Sequence, residues 1–110
     1  MPLFEKARIE VYLPDLPRPA YQDLLDLLER ELTYAFGGCS VVRGLEGFYL
    51  AHLGQFIRDR VNLLYTDMDV PFDDNFKTIS RYTDRLREIA ANALDEEVIL
   101  VVAYKVYHSE

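Results

Sequence analysis

The sequence predicts an α+β fold with element order β-α-β-β-α-β, in which two helices lie on one face of a four-stranded antiparallel sheet. Three observations predict it. Two segments carry apolar residues at three- and four-residue steps, as amphipathic helices do. Four others alternate with period two or form a short apolar run, as strands do. The prolines and most of the glycines fall between these segments.

Residues 5–13 open the chain, with Ala7, Ile9, Val11 and Leu13 on one face and Arg8, Glu10 and Tyr12 on the other. Pro14, Pro17 and Pro19 end this first strand, because proline cannot donate to a ladder. Tyr21, Leu24, Leu25, Leu28, Leu32, Ala35 and Phe36 then form one helical stripe. Gly37-Gly38 ends the helix, since its C-terminus commonly needs a positive φ that glycine adopts without strain. Residues 39–45 read as a short second strand around Val41 and Val42, and residues 44–54 as a wide connection or ragged hairpin. All five glycines of the chain fall between positions 37 and 54, the one compositional anomaly.

Alternation returns over residues 56–66. It places Ile57, Val61, Leu63 and Tyr65 toward the core, and Arg58, Arg60, Asn62 and Leu64 away from it. Asp59 then either starts the strand at an exposed end or anchors the glycine-punctuated loop through its amides. An acidic turn over residues 67–74 leads to a second helical stripe through Phe76, Ile79, Tyr82, Leu86, Ile89, Ala90, Ala93 and Leu94, with Asp73 or Asp74 as N-cap. Residues 98–107 are apolar at nearly every position, as in a strand covered on both faces. The order is that of the ferredoxin-like arrangement.

At 110 residues the chain is expected to form a single domain, 1–110, and half of it is apolar, which excludes disorder. A formal charge of −7 repels phosphate backbones, so nucleic acid and anionic membranes are disfavoured partners. No window approaches the roughly 18 apolar residues of a membrane span, and the N-terminus meets charge within five residues. One cysteine, Cys39, permits no internal disulfide and agrees with a cytoplasmic location.

The sheet leaves one face bare. Arg8, Glu10 and Tyr12 would lie on it, together with Arg58, Arg60 and Asn62, and with either Ile99, Val101, Ala103 or Val98, Leu100, Val102 from the last strand. An apolar strip beside such a polar half predicts a homodimer that buries this face or pairs edge strands.

No catalytic residue and no metal site is expected. The glycines precede a strand and not a helix, so they form no phosphate loop. His52 and His108 lack ligand spacing, and Asp67, Asp69, Asp73 and Asp74 lack the glycine and terminal glutamate of a calcium loop. No cofactor is implied. The residues singled out for contact with an unidentified small ligand are Tyr49, His52, Arg58, Arg60 and Tyr12, where aromatic, imidazole and guanidinium groups coincide. The predicted function is a self-associating module that binds a ligand or protein. The alternative is a cofactor-free enzyme of the dimeric α+β barrel type, working through His52, Tyr49, Tyr65 and Arg58 in a cavity between helices and sheet.

From Leu32 through Arg58-Asp59 the chain resembles a small bacterial family of unknown function, whose members share Phe-x-x-Gly-x-Thr-Val, Gly-x-Trp and Gly-x-x-x-Arg-Glu motifs. The corresponding residues are Phe36, Gly38 and Ser40-Val41, then Gly47-Phe48-Tyr49, then Gly54 with Arg58-Asp59. The chain departs from the pattern by Ser for Thr, Tyr for Trp and Asp for Glu, and Gly38 follows Phe36 by two positions where the pattern has three. The resemblance implies a ferredoxin-like fold and carries over no catalytic residue.

Overall fold

The computed structural model describes residues 2–50, 54–94 and 99–109. Strand β1 (Leu3–Pro14) leads to helix α1 (Pro19–Phe36), then to β2 (Ser40–Leu50) and β3 (Phe56–Met68). A single 3-10 turn (Asp73–Asn75) opens helix α2 (Phe76–Leu94), and β4 (Leu100–Ser109) closes the fold. The strands form one antiparallel sheet in the order β2-β3-β1-β4. This is the ferredoxin-like βαββαβ architecture that the hydrophobic periodicities predict.

Central strand β1 organises the packing. Ala7, Ile9, Val11 and Leu13 are buried beneath the helices, which answer with Tyr21, Leu24, Leu25, Leu28 and Leu32 from α1 and with Ile79, Leu86 and Ala90 from α2. Gly37 closes α1 in the left-handed region at φ 85°, and its N–H donates to the Thr33 carbonyl at 2.8 Å.

The register of β3 reverses the expected faces. Val11 lies opposite Leu64, Ile9 opposite Thr66 and Leu13 opposite Asn62, so Asn62, Leu64 and Thr66 face the helices. Val61, Leu63 and Tyr65 are on the open side, and Arg58 and Arg60 share the parity of the helix side. A one-residue change of register flips every side chain of a strand. Here the alternation misleads because two of the buried residues are polar. The Asn62 side-chain carbonyl accepts the Gly44 N–H at 3.0 Å, and its amide donates to Asp15 Oδ1 at 3.2 Å. The Thr66 hydroxyl donates to the Gly38 carbonyl. Buried polar groups satisfied in this way cost little. Asp59 is half-buried opposite Gly47, and its carboxylate accepts the N–H of Arg60 at 2.8 Å.

Strand β2 is longer than expected. It runs on through Gly44 and Gly47 to Leu50, with a bulge between Val42 and Leu45 where Gly44 adopts φ 70°. Asn62 therefore holds the bulge in place. The ladder partners of β1 on β3 end at Val61 and the Asp15 N–H reaches on to the Arg60 carbonyl at 2.9 Å, so residues 56–59 pair with β2 alone and form a two-stranded arm. The molecule measures 48 × 28 × 25 Å, and its radius of gyration of 15.3 Å exceeds the roughly 13 Å of a compact chain this long.

The acidic turn is tied to the sheet through Glu5, which accepts the Phe72 N–H at 2.7 Å and the Tyr107 hydroxyl at 3.3 Å. The expected aspartate N-cap is not formed. The 3-10 turn begins at Phe72 without a side-chain cap, and the carboxylate of Asp73 instead meets Lys105 Nζ at 2.9 Å.

The observed register makes a testable ordering. Leu64→Ala should lower stability in urea unfolding by about 2–5 kcal/mol, the range for an aliphatic deletion in a packed core. Leu63→Ala should cost clearly less, and Asn62→Ala about 1–3 kcal/mol because the Gly44 N–H loses its acceptor. Equal costs at positions 63 and 64 would contradict the register.

Candidate functional site

The open face of the sheet gathers most of the polar chemistry. Arg8 lies opposite Asp67 on β3 and opposite Tyr104 on β4, and Glu10 lies opposite Tyr65 and Val102. Arg8 holds Asp67 in a two-pronged ion pair, with Nε to Oδ1 at 2.7 Å and Nη2 to Oδ2 at 3.0 Å. Its guanidinium also sits 4.6 Å from the centre of the Tyr65 ring. The hydrogen bonds from Arg8 hold the Asp67 carboxyl below the usual carboxylate range, and Asp67 in turn raises Arg8.

Glu10 is held from two sides. The hydroxyl of Tyr12 donates to one carboxylate oxygen at 3.0 Å and that of Tyr104 to the other at 2.7 Å. The hydrogen bond to Glu10 raises the Tyr104 phenol above its ordinary value. Tyr12 is raised as well, by loss of solvent first and by Glu10 second. Ionising either phenol would set two negative charges against each other. Around this network the face is apolar, with Val42, Leu63, Leu100 and Val102 on its parity. The open-side set from the last strand is therefore Leu100 and Val102, while Val101 and Ala103 face the helices; Val98 lies outside the described residues.

Of the five residues singled out in the sequence, the three whose side chains are described, Tyr12, Arg58 and Arg60, do not converge. Tyr12 is on the open face. Arg58 lies on the arm and on the opposite side of the sheet, 5.4 Å from the Phe48 ring, which stacks on Phe56 at 5.3 Å. Arg60 sits at the base of the arm, with Nη2 3.9 Å from Asp15 Oδ2. Tyr49 belongs to β2, but its side chain lies outside the described residues, as does His52 entirely. The central group of the face, Glu10 with Tyr104, escapes the sequence reading because its members are 94 positions apart. In the sequence Tyr104 is one more member of an apolar run.

The space between helices and sheet is filled by Ile9, Leu13, Leu25, Leu28, Leu32 and Leu64. The cavity required by the enzyme reading is therefore not found there among the described residues. A shallow cleft of about 400 Å³ lies at the end of α1, between Phe36–Ser40 and Tyr65–Asp67. Its Cys39 thiol is pushed up by burial and by Glu29, which disfavours a nucleophilic thiolate. Among the described residues no three His, Cys, Asp or Glu side chains stand close enough to share a metal ion, and no helix is long and apolar enough to cross a membrane.

The ion pair predicts an acid response of definite sign. Asp67 ionises more readily in the folded chain, so the unfolded chain binds the extra proton and stability falls as pH drops through and below the ordinary carboxylate value of about 4. Asp67→Asn should flatten that part of the acid-unfolding curve, and an unchanged slope would contradict the pairing. In alkaline titration followed by tyrosinate absorbance, Glu10→Gln should shift Tyr12 and Tyr104 back toward ordinary phenols. Tyr82, which burial raises, should not respond.

Comparison with solved structures places the fold. The chain is similar to CutA1 from Oryza sativa, with TM-score 0.60 and 18% identity, over 98% of this chain and 85% of that one. It is also similar to the divalent cation tolerance protein Cut A1 of Thermus thermophilus, with TM-score 0.58 and 16% identity, over 97% and 88% of the two chains. Neither a protein-family model nor a curated protein sequence matches the chain. At these identities the likeness is one of ferredoxin-like fold.

Proposed function

We propose that this chain is a non-catalytic, self-associating binding module, a cytoplasmic homodimer in which a second copy covers the open sheet face. The observation that carries the reading is the state of the charges on that face. Arg8 and Asp67 neutralise one another with two hydrogen bonds, and Glu10 is held by two phenols. Covering the ion pair strands no lone charge, and the Glu10 carboxylate keeps two hydrogen-bond donors, whereas burying a charge without partners is costly. The accessible surface supports the same conclusion. It is 7583 Å², about a fifth more than the roughly 6,300 Å² of a compact monomer of 12.8 kDa. A standard interface covers about 800 Å² per partner, within that surplus.

Within this reading Tyr12 belongs to the shared face. Contact with a small ligand or protein is assigned to the β2–β3 connection, which carries Tyr49, His52 and Arg58, with Arg60 bracing its base on Asp15. Part of the resemblance to the family of unknown function, at Gly47-Phe48-Tyr49 and at Gly54 with Arg58-Asp59, rests on residues of this same segment. A cation-handling role, which the name of the Thermus protein suggests for that protein, has no supporting ligand cluster among the described residues of this chain.

Sedimentation equilibrium tests the assembly. At concentrations on the order of tens of micromolar, a mass of twice 12.8 kDa is expected. Leu63→Lys should return it to the single-chain mass while leaving the far-ultraviolet circular dichroism unchanged. Because each copy carries a net charge of −7, association should strengthen as salt is raised. A single-chain mass for the unmodified protein under these conditions overturns the proposal.

A further inference from the structure

On the helix layer, across the sheet from its open face, α1 and α2 leave a groove of about 210 Å³ between them. Helical spacing builds it. Leu28 and Leu86 turn inward and are buried, so they form its floor, while Leu27 and Ile89 form apolar walls. Leu27 stays 55% exposed, which leaves that wall open to a ligand. Glu31 follows Leu27 by one turn on α1, and Arg85 follows Tyr82 by one turn on α2. An acid and a base therefore face one groove from opposite helices. Neither side chain forms a hydrogen bond or ion pair with another described residue. Tyr82 lines the groove as well, and its hydroxyl is buried without a partner among the described residues. Burial pushes the Tyr82 phenol up, Glu31 adds to this and Arg85 opposes it, as opposite charges near one ring do. Beyond Tyr82 the groove continues past Arg81 and Thr78.

We propose that this groove binds a free α-amino acid with an aliphatic side chain, its carboxylate on Arg85, its ammonium on Glu31 and its side chain against the four aliphatic residues. The volume falls below the roughly 300 Å³ at which cofactor-sized sites begin, so the ligand is small. Charge decides among small molecules. A simple carboxylate would meet Arg85 but also Glu31, and a simple amine meets the reverse conflict. A ligand carrying both charges satisfies both. A zwitterion also has no net charge, so the −7 of the chain does not repel it. The planar fork of Arg85 matches a carboxylate with two parallel hydrogen bonds, and Arg81 one turn away adds to the attraction. The same carboxylate brings Tyr82 an acceptor once its ring turns toward the groove, which relieves the cost of a buried hydroxyl without a partner. The site is separate from both the covered sheet face and the β2–β3 connection, and does not depend on the self-association reading.

Amide chemical shifts of the full chain, titrated with L-leucine, 4-methylpentanoate and 3-methylbutylamine, test this. The two analogues keep the side chain and lack the ammonium or the carboxylate. Leucine should move the amides of residues 27–31 and 82–89 and bind at least about tenfold more tightly than either analogue, the loss expected when a charged partner is left unmatched. Glu31→Gln should erase the preference over 4-methylpentanoate, and Arg85→Gln the preference over 3-methylbutylamine. Both positions are exposed, so the variants should keep the fold. Equal binding of leucine and its analogues, or leucine shifts confined to the β2–β3 connection, overturns the proposal. No shift at concentrations on the order of 10 mM overturns it as well. The mass of the chain in the same samples reads self-association separately, so either reading can fail without the other.

Discussion

When Val11 of β1 is set opposite Leu64 of β3, the faces of both strands are assigned together. Ala7, Ile9, Val11 and Leu13 must meet the helices, since no other surface of the chain can cover four such residues. Leu64 follows them inside, and the polar neighbours Asn62 and Thr66 are taken along by the pleat. They are tolerated because the backbone at Gly44 and Gly38 supplies their partners. From the same register Asp67 arrives opposite Arg8, and Tyr65 beneath its guanidinium. The bulge that lets β2 run on as an arm is pinned by Asn62. Core, open face and arm all depend on one pairing.

Much of this is legible in the sequence, and the exceptions have physical causes. The alternation of β1 and the stripes of both helices are unambiguous because each has one apolar face and one polar face. β3 is different: Leu63 and Leu64 are adjacent, so either parity offers apolar residues to the core. The deciding factor is which polar side chains can be satisfied inside, and that depends on Gly44, Gly38 and Asp15, far away in sequence. The glycine cluster has the same character. Gly37 reads correctly as a helix cap, but Gly44 sits in a bulge within a strand, so a stretch that looks like a loop continues the ladder.

The candidate site divides along the same line. Tyr12 is visible in the sequence as an outward residue of a clean strand. Its partnership with Glu10 and Tyr104 is not, because β4 joins β1 only through the topology of the whole fold. Arg58 and Arg60 follow whichever face β3's register gives them, so correcting that register moves both. What results is a sheet face on which Arg8 and Asp67 neutralise one another and two phenols hold the Glu10 carboxylate. Such a network keeps its hydrogen bonds whether water or protein lies above it, whereas the aliphatic residues around it gain from being covered. That asymmetry favours a covered face.

The most direct test of that central claim is small-angle X-ray scattering of the unmodified protein over a concentration series, read for both mass and radius of gyration. A covered face predicts twice the single-chain mass and a radius of gyration clearly above the 15.3 Å of one chain, both falling on dilution. A particle of 12.8 kDa with a radius of gyration near 15.3 Å at every concentration would contradict it.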